Sequence, residues 1–147
     1  MRIGAEMPAF EGATEWLNGS PESIENLPQG VPTLVHFWAV SCGICKENMP
    51  KIADLREQNA GKLNVVAIHF PRYEADTNLD DVKAAIEKYN ISEPCAIDNK
   101  HKLKDAFLNE QGWVPVYYLF DSEGKLKSRA AGEFGYGILS TALAKLL

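Results

Sequence analysis

Apolar residues run almost unbroken from Thr33 to Val40, as Thr-Leu-Val-His-Phe-Trp-Ala-Val, rich in β-branched and aromatic types and without alternation. A strand covered on both faces reads this way. Leu63 to Phe70, closed by Pro71, repeats the pattern. Between the two, from Gly43 to about Glu57, Met49, Ile52, Ala53 and Leu55 give a partial apolar face at helical spacing, and Pro50 is expected to kink that helix. Strand, helix and strand in this order imply a parallel crossover, because parallel neighbours need a long connection.

Farther on, Val82, Ala85, Ile86 and Tyr89 recur at helical spacing behind Asp80 and Asp81, which predicts a helix capped by one of those aspartates and ending near Tyr89. A short strand at Cys95 to Ile97 and a helix at His101 to Leu108 follow. Val114 to Phe120 then reads as a strand joined through the turn Asp121-Ser122-Glu123-Gly124 to a hairpin partner at Lys125 to Ala130. After Gly132 to Gly137, Ile138, Leu139, Ala142, Leu143 and Leu146 predict a terminal helix with one face on the sheet. Residues 1–32 are interrupted too often by Gly and Pro for long elements and read as a turn-rich lead-in whose role is packing. The expectation is an α/β fold, a central mixed sheet flanked by helices, in one domain over residues 1–147 with its core at 33–147.

Length and charge narrow the function. A chain of 147 residues can bury a core without staples or a structural metal. Fifteen basic against twenty acidic residues leave a formal charge of -5, without the basic footprint of a nucleic-acid binder. No apolar stretch approaches the roughly 20 residues of a membrane-spanning helix, and Met1 to Pro8 lack the apolar core of a secretory signal. The sequence as it stands reads as cytoplasmic. A location outside the cytoplasm would require a signal or anchor ahead of it.

Only three cysteines are present, too few and too odd in number for the disulfide framework of a secreted domain. Two of them form Cys42-Gly43-Ile44-Cys45, spaced for a redox dithiol or for half of a zinc site. Cys42 falls where a buried strand gives way to a helix, beside unpaired N–H groups and the positive end of the helix dipole, which favours its thiolate. Cys45, one turn deeper, is placed to attack a mixed disulfide on Cys42 and complete a two-electron cycle. The zinc reading needs four ligands, and no second Cys-x-x-Cys is present. His36, His69 and Cys95 are the residues that could complete such a site. Cys95 alone, in a short strand, reads as a buried inert thiol.

The run Val35-His36-Phe37-Trp38-Ala39-Val40-Ser41-Cys42-Gly43-Ile44-Cys45-Lys46-Glu47-Asn48-Met49-Pro50 resembles the active-site segment of the TlpA/ResA-like branch of the thioredoxin superfamily, an AhpC/TSA-related redoxin domain. The Phe-Trp-Ala lead-in and the proline five residues after the second cysteine are part of that likeness. Ile91 to Phe107, with Pro94, Asp98-Asn99 and Ala106-Phe107, is similar to the extra strand and helix that this branch inserts, and the hairpin Val116 to Lys127 matches as well. The resemblance implies a thioredoxin-like fold, a thiol-disulfide oxidoreductase acting in redox homeostasis, and a redox-active Cys42–Cys45 disulfide in place of any cofactor. It also implies that Pro115 is a cis-proline opposite the dithiol, with Val114 offering backbone hydrogen bonds to a substrate chain.

His36, six residues before Cys42, stands where thioredoxins carry a buried Asp that moves protons for the second cysteine. A histidine can do the same, and it can equally be a satisfied core residue. At Asn48 some ResA-type relatives have a Glu, whereas here the carboxylate is at Glu47 and is expected to face solvent. Gly43, Ile44, Trp38 and Trp113 are the remaining candidates for contact with substrate, although a tryptophan in the position of Trp38 is more often core than contact. The implied partners are protein disulfides or dithiols and an upstream thiol reductant or oxidant, with a monomeric enzyme and neither nucleic acid nor membrane insertion. Gly43-Ile44 differs from the Gly-Pro of thioredoxin, so the potential does not carry over, and the cytoplasmic reading favours a reductant. The rival readings are a metal- or partner-binding module of the same fold and a weak thiol peroxidase. The peroxiredoxin signature, Pro then Thr or Ser before the cysteine, is missing ahead of Cys42.

Overall fold

The structure is a computed structural model that describes all residues from Met1 to Leu147. Its central unit is strand β2 (Thr33–Trp38), helix α2 (Gly43–Gln58) and strand β3 (Asn64–His69), with every residue of both strands buried. The two strands pair in parallel, as the crossover requires. Ahead of them lie β1 (Glu15–Leu17) and α1 (Pro21–Glu25); after them come α3 (Leu79–Lys88), β4 (Cys95–Ile97), α4 (Lys102–Ala106), the hairpin β5 (Val116–Phe120) and β6 (Leu126–Ala131), and α5 (Gly135–Leu146). All six strands form one sheet in the order β1-β4-β3-β2-β5-β6. β4 joins β3 in parallel, while β1, β5 and β6 pair antiparallel with their neighbours, so the sheet is mixed.

The two sides of β2 have different tasks. Val35 and Phe37 enter a cluster with Phe107, Tyr118 and Phe120, where the Phe37 and Phe107 ring centroids are 5.4 Å apart and edge-on. Trp38 points to the opposite side, into a cluster with Cys42, Cys45, Met49, Ala67 and Cys95 under α2 and α3. Because side chains alternate along a strand, His36 shares the face of Trp38. Its in-register neighbours across the sheet are Ala67 on β3 and, beyond it, Cys95 on β4.

Several boundaries differ from the sequence expectation for local reasons. α3 is capped by Asn78, whose Oδ1 accepts the Asp81 N–H at 3.2 Å; Asp80 and Asp81 instead sit in the first turn, where their charges meet the dipole. β5 starts at Val116, two residues later than expected, because Pro115 has no N–H to give to the ladder. The lead-in contains one short helix that was not expected. Pro21 occupies its first turn, and Ser20 and Ser23 cap it reciprocally, with the Ser23 N–H donating to Ser20 Oγ at 3.3 Å and the Ser20 N–H to Ser23 Oγ at 3.2 Å. α2 continues through Pro50. The lead-in packs Phe10 against Phe107, with centroids 5.8 Å apart, and β1 closes the sheet edge against β4.

Candidate active site

Chain direction places the cysteines. β2 ends at Trp38, the Cys42 N–H turns back to the Ala39 carbonyl at 3.0 Å, and α2 begins at Gly43. Cys42 is the N-cap of α2 in extended conformation, and its Sγ accepts the N–H of Cys45 at 3.1 Å. A helix N-terminus has spare N–H groups, and here a sulfur takes the place usually held by a Ser or Asp oxygen. Cys42 and Cys45 are joined as a disulfide, their Cα atoms 5.3 Å apart.

The pair is more covered than a freely reachable nucleophile would suggest, with Cys42 3 % and Cys45 1 % exposed. Access to Cys42 lies over Gly43, which is exposed and around which an added Cβ would meet no atom within 4 Å. Ile44, next in the chain, and Trp113, on the loop before Val114, are apolar residues 38 % and 51 % exposed. The Val114-Pro115 bond on that loop is cis, and Val114 packs against the cluster that holds both cysteines. Buried Asn109 pins the loop: its Oδ1 accepts the Trp113 N–H at 3.1 Å and its Nδ2 donates to the Trp113 carbonyl at 3.0 Å. Trp38 does not belong to this surface. At 1 % exposure it lies edge-on to His69 with centroids 4.8 Å apart, inside the cluster that holds both cysteines.

His36 is buried and bonded, Nε2 to Glu93 Oε2 at 2.6 Å, and the other oxygen of Glu93 accepts from Arg56 Nη1 at 2.6 Å. Burial alone would raise the Glu93 pKa, but its bonds to His36 and the charge of Arg56 outweigh that and hold the carboxyl below its ordinary range. The sequence reading found His36 and missed both partners. A histidine inside an otherwise apolar, fully buried strand does signal that a partner must exist.

His69, at the end of β3, has no exposed surface; its Nε2 accepts the Val40 N–H at 3.1 Å, two residues before Cys42. Burial lowers its pKa to about 4, with the Asp76 charge opposing the shift, so the ring is neutral at physiological pH. Cys95 is fully buried and its thiol is pushed up to about 12, the inert behaviour expected of it. Asn48 is buried on α2 and Glu47 is exposed. No cluster of three or more His, Cys, Asp or Glu side chains is arranged to hold a metal ion, so His36, His69 and Cys95 do not gather around the cysteine pair as zinc ligands. No helix is long and apolar enough to cross a membrane.

Comparison with known proteins agrees with this geometry. The AhpC/TSA family matches residues 3–129. The chain is 40% identical to the thiol-disulfide oxidoreductase YkuV of Bacillus subtilis over all of its own length and 97% of that protein. It is 30% identical to the thioredoxin-like protein YneN of the same organism, over 88% of this chain and 71% of the relative. A solution structure of a thioredoxin-like protein in the oxidised form superimposes with a TM-score of 0.87 at 38% identity, each chain covered in full. A dithiol bridged at a helix N-terminus, set on this mixed sheet and matched along the whole chain, places the protein in the AhpC/TSA family as a TlpA/ResA-like thiol-disulfide oxidoreductase of the thioredoxin superfamily.

Proposed function

We propose that this oxidoreductase reduces disulfides in protein substrates, with Cys42 as the attacking sulfur, Cys45 as the resolving sulfur and no cofactor beyond the pair itself. The observation that carries the assignment is the 3.1 Å hydrogen bond from the Cys45 N–H to Cys42 Sγ at the start of α2. The same donor, with the helix dipole behind it, stabilises a thiolate on Cys42 once the pair is reduced. That thiolate attacks one sulfur of the substrate disulfide. A Cys42–substrate bond forms, the substrate S–S bond breaks, and the departing sulfur leaves with the electron pair and takes up a proton. Cys45, after losing its proton, attacks Cys42 Sγ. The Cys42–Cys45 bond forms and the second substrate sulfur is released, so two electrons and two protons have passed to the substrate.

His36 is suited to receive the Cys45 proton. It lies on the sheet face shared with Ala67 and Cys95, which pack in the cluster with both cysteines, and its Nε2 bond to Glu93 fixes the orientation of the ring. The substrate strand is read by the backbone of Val114 beside Pro115, with Gly43 leaving room and Ile44 and Trp113 giving apolar contact on either side. Cysteine usage supports a cytoplasmic reductant: the one disulfide is the redox pair, and Cys95 stays a free thiol. The enzyme is read as a single-domain monomer. An upstream thiol reductant then returns the two electrons.

The test is a trap. Cys45→Ser should hold its substrate as a mixed disulfide through Cys42, visible as a dithiothreitol-sensitive adduct by mass, whereas Cys42→Ser should hold none. Equal trapping by both variants overturns the assignment of roles, and an equilibrium potential well above the roughly -230 mV of glutaredoxins overturns the reductant direction.

A further inference from the structure

The residue joined to the nucleophile is gripped from the β3–α3 connection in a way the reaction scheme does not use. Asp76 is buried, 3 % exposed, in a short 3-10 helix, Glu74–Thr77. Its Oδ2 accepts three donors: the Ser41 hydroxyl at 2.8 Å, the Arg72 N–H at 2.9 Å and the Tyr73 N–H at 3.3 Å. One carboxylate oxygen therefore ties the Ser41 side chain to the backbone of Arg72. The Arg72 guanidinium closes the loop from the other side. Its Nη2 donates to the Ser41 carbonyl at 2.8 Å and to Ser41 Oγ at 3.1 Å, and its Nε donates to the same Oγ at 3.2 Å.

An exposed arginine ordinarily samples many rotamers; this one forks around a single residue, with its Cζ also 5.4 Å from the Tyr73 ring centroid. The residue it grips is bonded directly to Cys42. We propose that Arg72 is a positioning residue for the reaction, held by Asp76 so that its guanidinium caps the Ser41 carbonyl and keeps a fixed positive charge beside the attacking sulfur. The proposal rests on the reading of Cys42 as nucleophile. Charged or titratable groups around Cys42 are Arg72 and Asp76 from this connection, His69 from the end of β3, and Lys46 and Glu47 on α2; the facing Val114-Pro115 segment brings none. His69 is neutral above about pH 4. Asp76 makes no ion pair with Arg72 and reaches Ser41 only through its hydroxyl. The guanidinium is the charge in direct contact with the carbonyl of the Ser41–Cys42 peptide, at 2.8 Å, and its field favours the thiolate over the thiol and over the uncharged disulfide.

The experiment is a titration of the reduced protein by thiolate absorbance from pH 4 to 10, with the equilibrium against glutathione measured in parallel, on the wild type, Arg72→Gln, Arg72→Lys and Cys42→Ser. The wild type should show a low-pH thiolate step that Cys42→Ser lacks. In Arg72→Gln that step should move to higher pH by about one unit, and the reduced form should lose up to tenfold in its equilibrium with glutathione, which is about 30 mV toward the more reducing side. Arg72→Lys, which keeps the charge and loses the fork, should recover more than half of the shift. A step unmoved in Arg72→Gln overturns the proposal and leaves Cys42 as nucleophile, as does a lysine variant that titrates like the glutamine one. If the wild type has no step that Cys42→Ser removes, the proposal falls together with the reading of Cys42.

Discussion

Acid should loosen this protein through one buried imidazole before most of its carboxylates respond. His69 has no exposed surface, and its Nε2 accepts the Val40 N–H at 3.1 Å, which puts the ring proton on Nδ1, an atom without a hydrogen-bond partner. A second proton would have to go on Nε2 and displace the Val40 N–H. Burial accordingly lowers the pKa from 6.5 to about 4. In that interval the unfolded chain binds a proton that the folded one refuses. The contribution of His69 is therefore complete above pH 6.5 and is lost as pH falls toward 4, amounting to about 3 kcal/mol. Against a typical domain stability of about 5–15 kcal/mol this is a large share.

Urea unfolding followed by tryptophan fluorescence at half-unit steps between pH 7 and 4.5 measures it, provided the m-value stays constant. The wild type should lose stability with a slope approaching one proton per molecule from this source. His69→Gln, which can still accept the Val40 N–H but cannot be charged, should start lower because its packing against Trp38 is poorer and then fall less steeply. Parallel loss in the two proteins would refute the argument, since it would assign the acid sensitivity to other groups.

Two further substitutions test the surroundings of the site. Glu93→Gln removes the charge that faces both His36 and Arg56; it should cost about 3 kcal/mol at neutral pH, and should lengthen the life of the mixed disulfide by disturbing the bond that orients the His36 ring. Because the Glu93 pKa is held below its ordinary 4.5, the stability it supplies is present above pH 4.5 and disappears below, so wild type and variant should converge in acid; a cost under about 0.5 kcal/mol at pH 7 would contradict this. Asp98→Ala removes the acceptor of both the Leu103 and Lys104 N–H groups, each at 2.9 Å, at the start of α4, whose N-cap residue His101 supplies no side-chain bond. The expected cost is about 1–2 kcal/mol with loss of hydrogen-exchange protection at those two amides, and unchanged protection would show that α4 is held by packing alone.

What could be read along the chain and what could not divides by the range of the interaction. The unbroken apolar run before Cys42, the two-residue gap to Cys45 and the Cys95–Ile97 strand are signals of a few residues, and each reappears in place. Asn78 is hard to single out as a cap because two aspartates near it offer the same chemistry, and the choice depends only on which side chain meets the Asp81 N–H. The partners of buried polar groups have no local trace at all. Glu93 lies 57 residues from His36 and 37 from Arg56, and Arg72 lies 31 residues from Ser41. In sequence Glu93 is one acid among twenty, beside a proline, and looks like a surface loop residue. Only the burial of His36 demands an acceptor, and only the fold decides which carboxylate can reach it. The chemistry of a dithiol is set by atoms three residues apart and is therefore legible. The polar contacts around it are brought together from β2, α2 and the segments that lead into α3 and β4, so they become visible when the sheet closes.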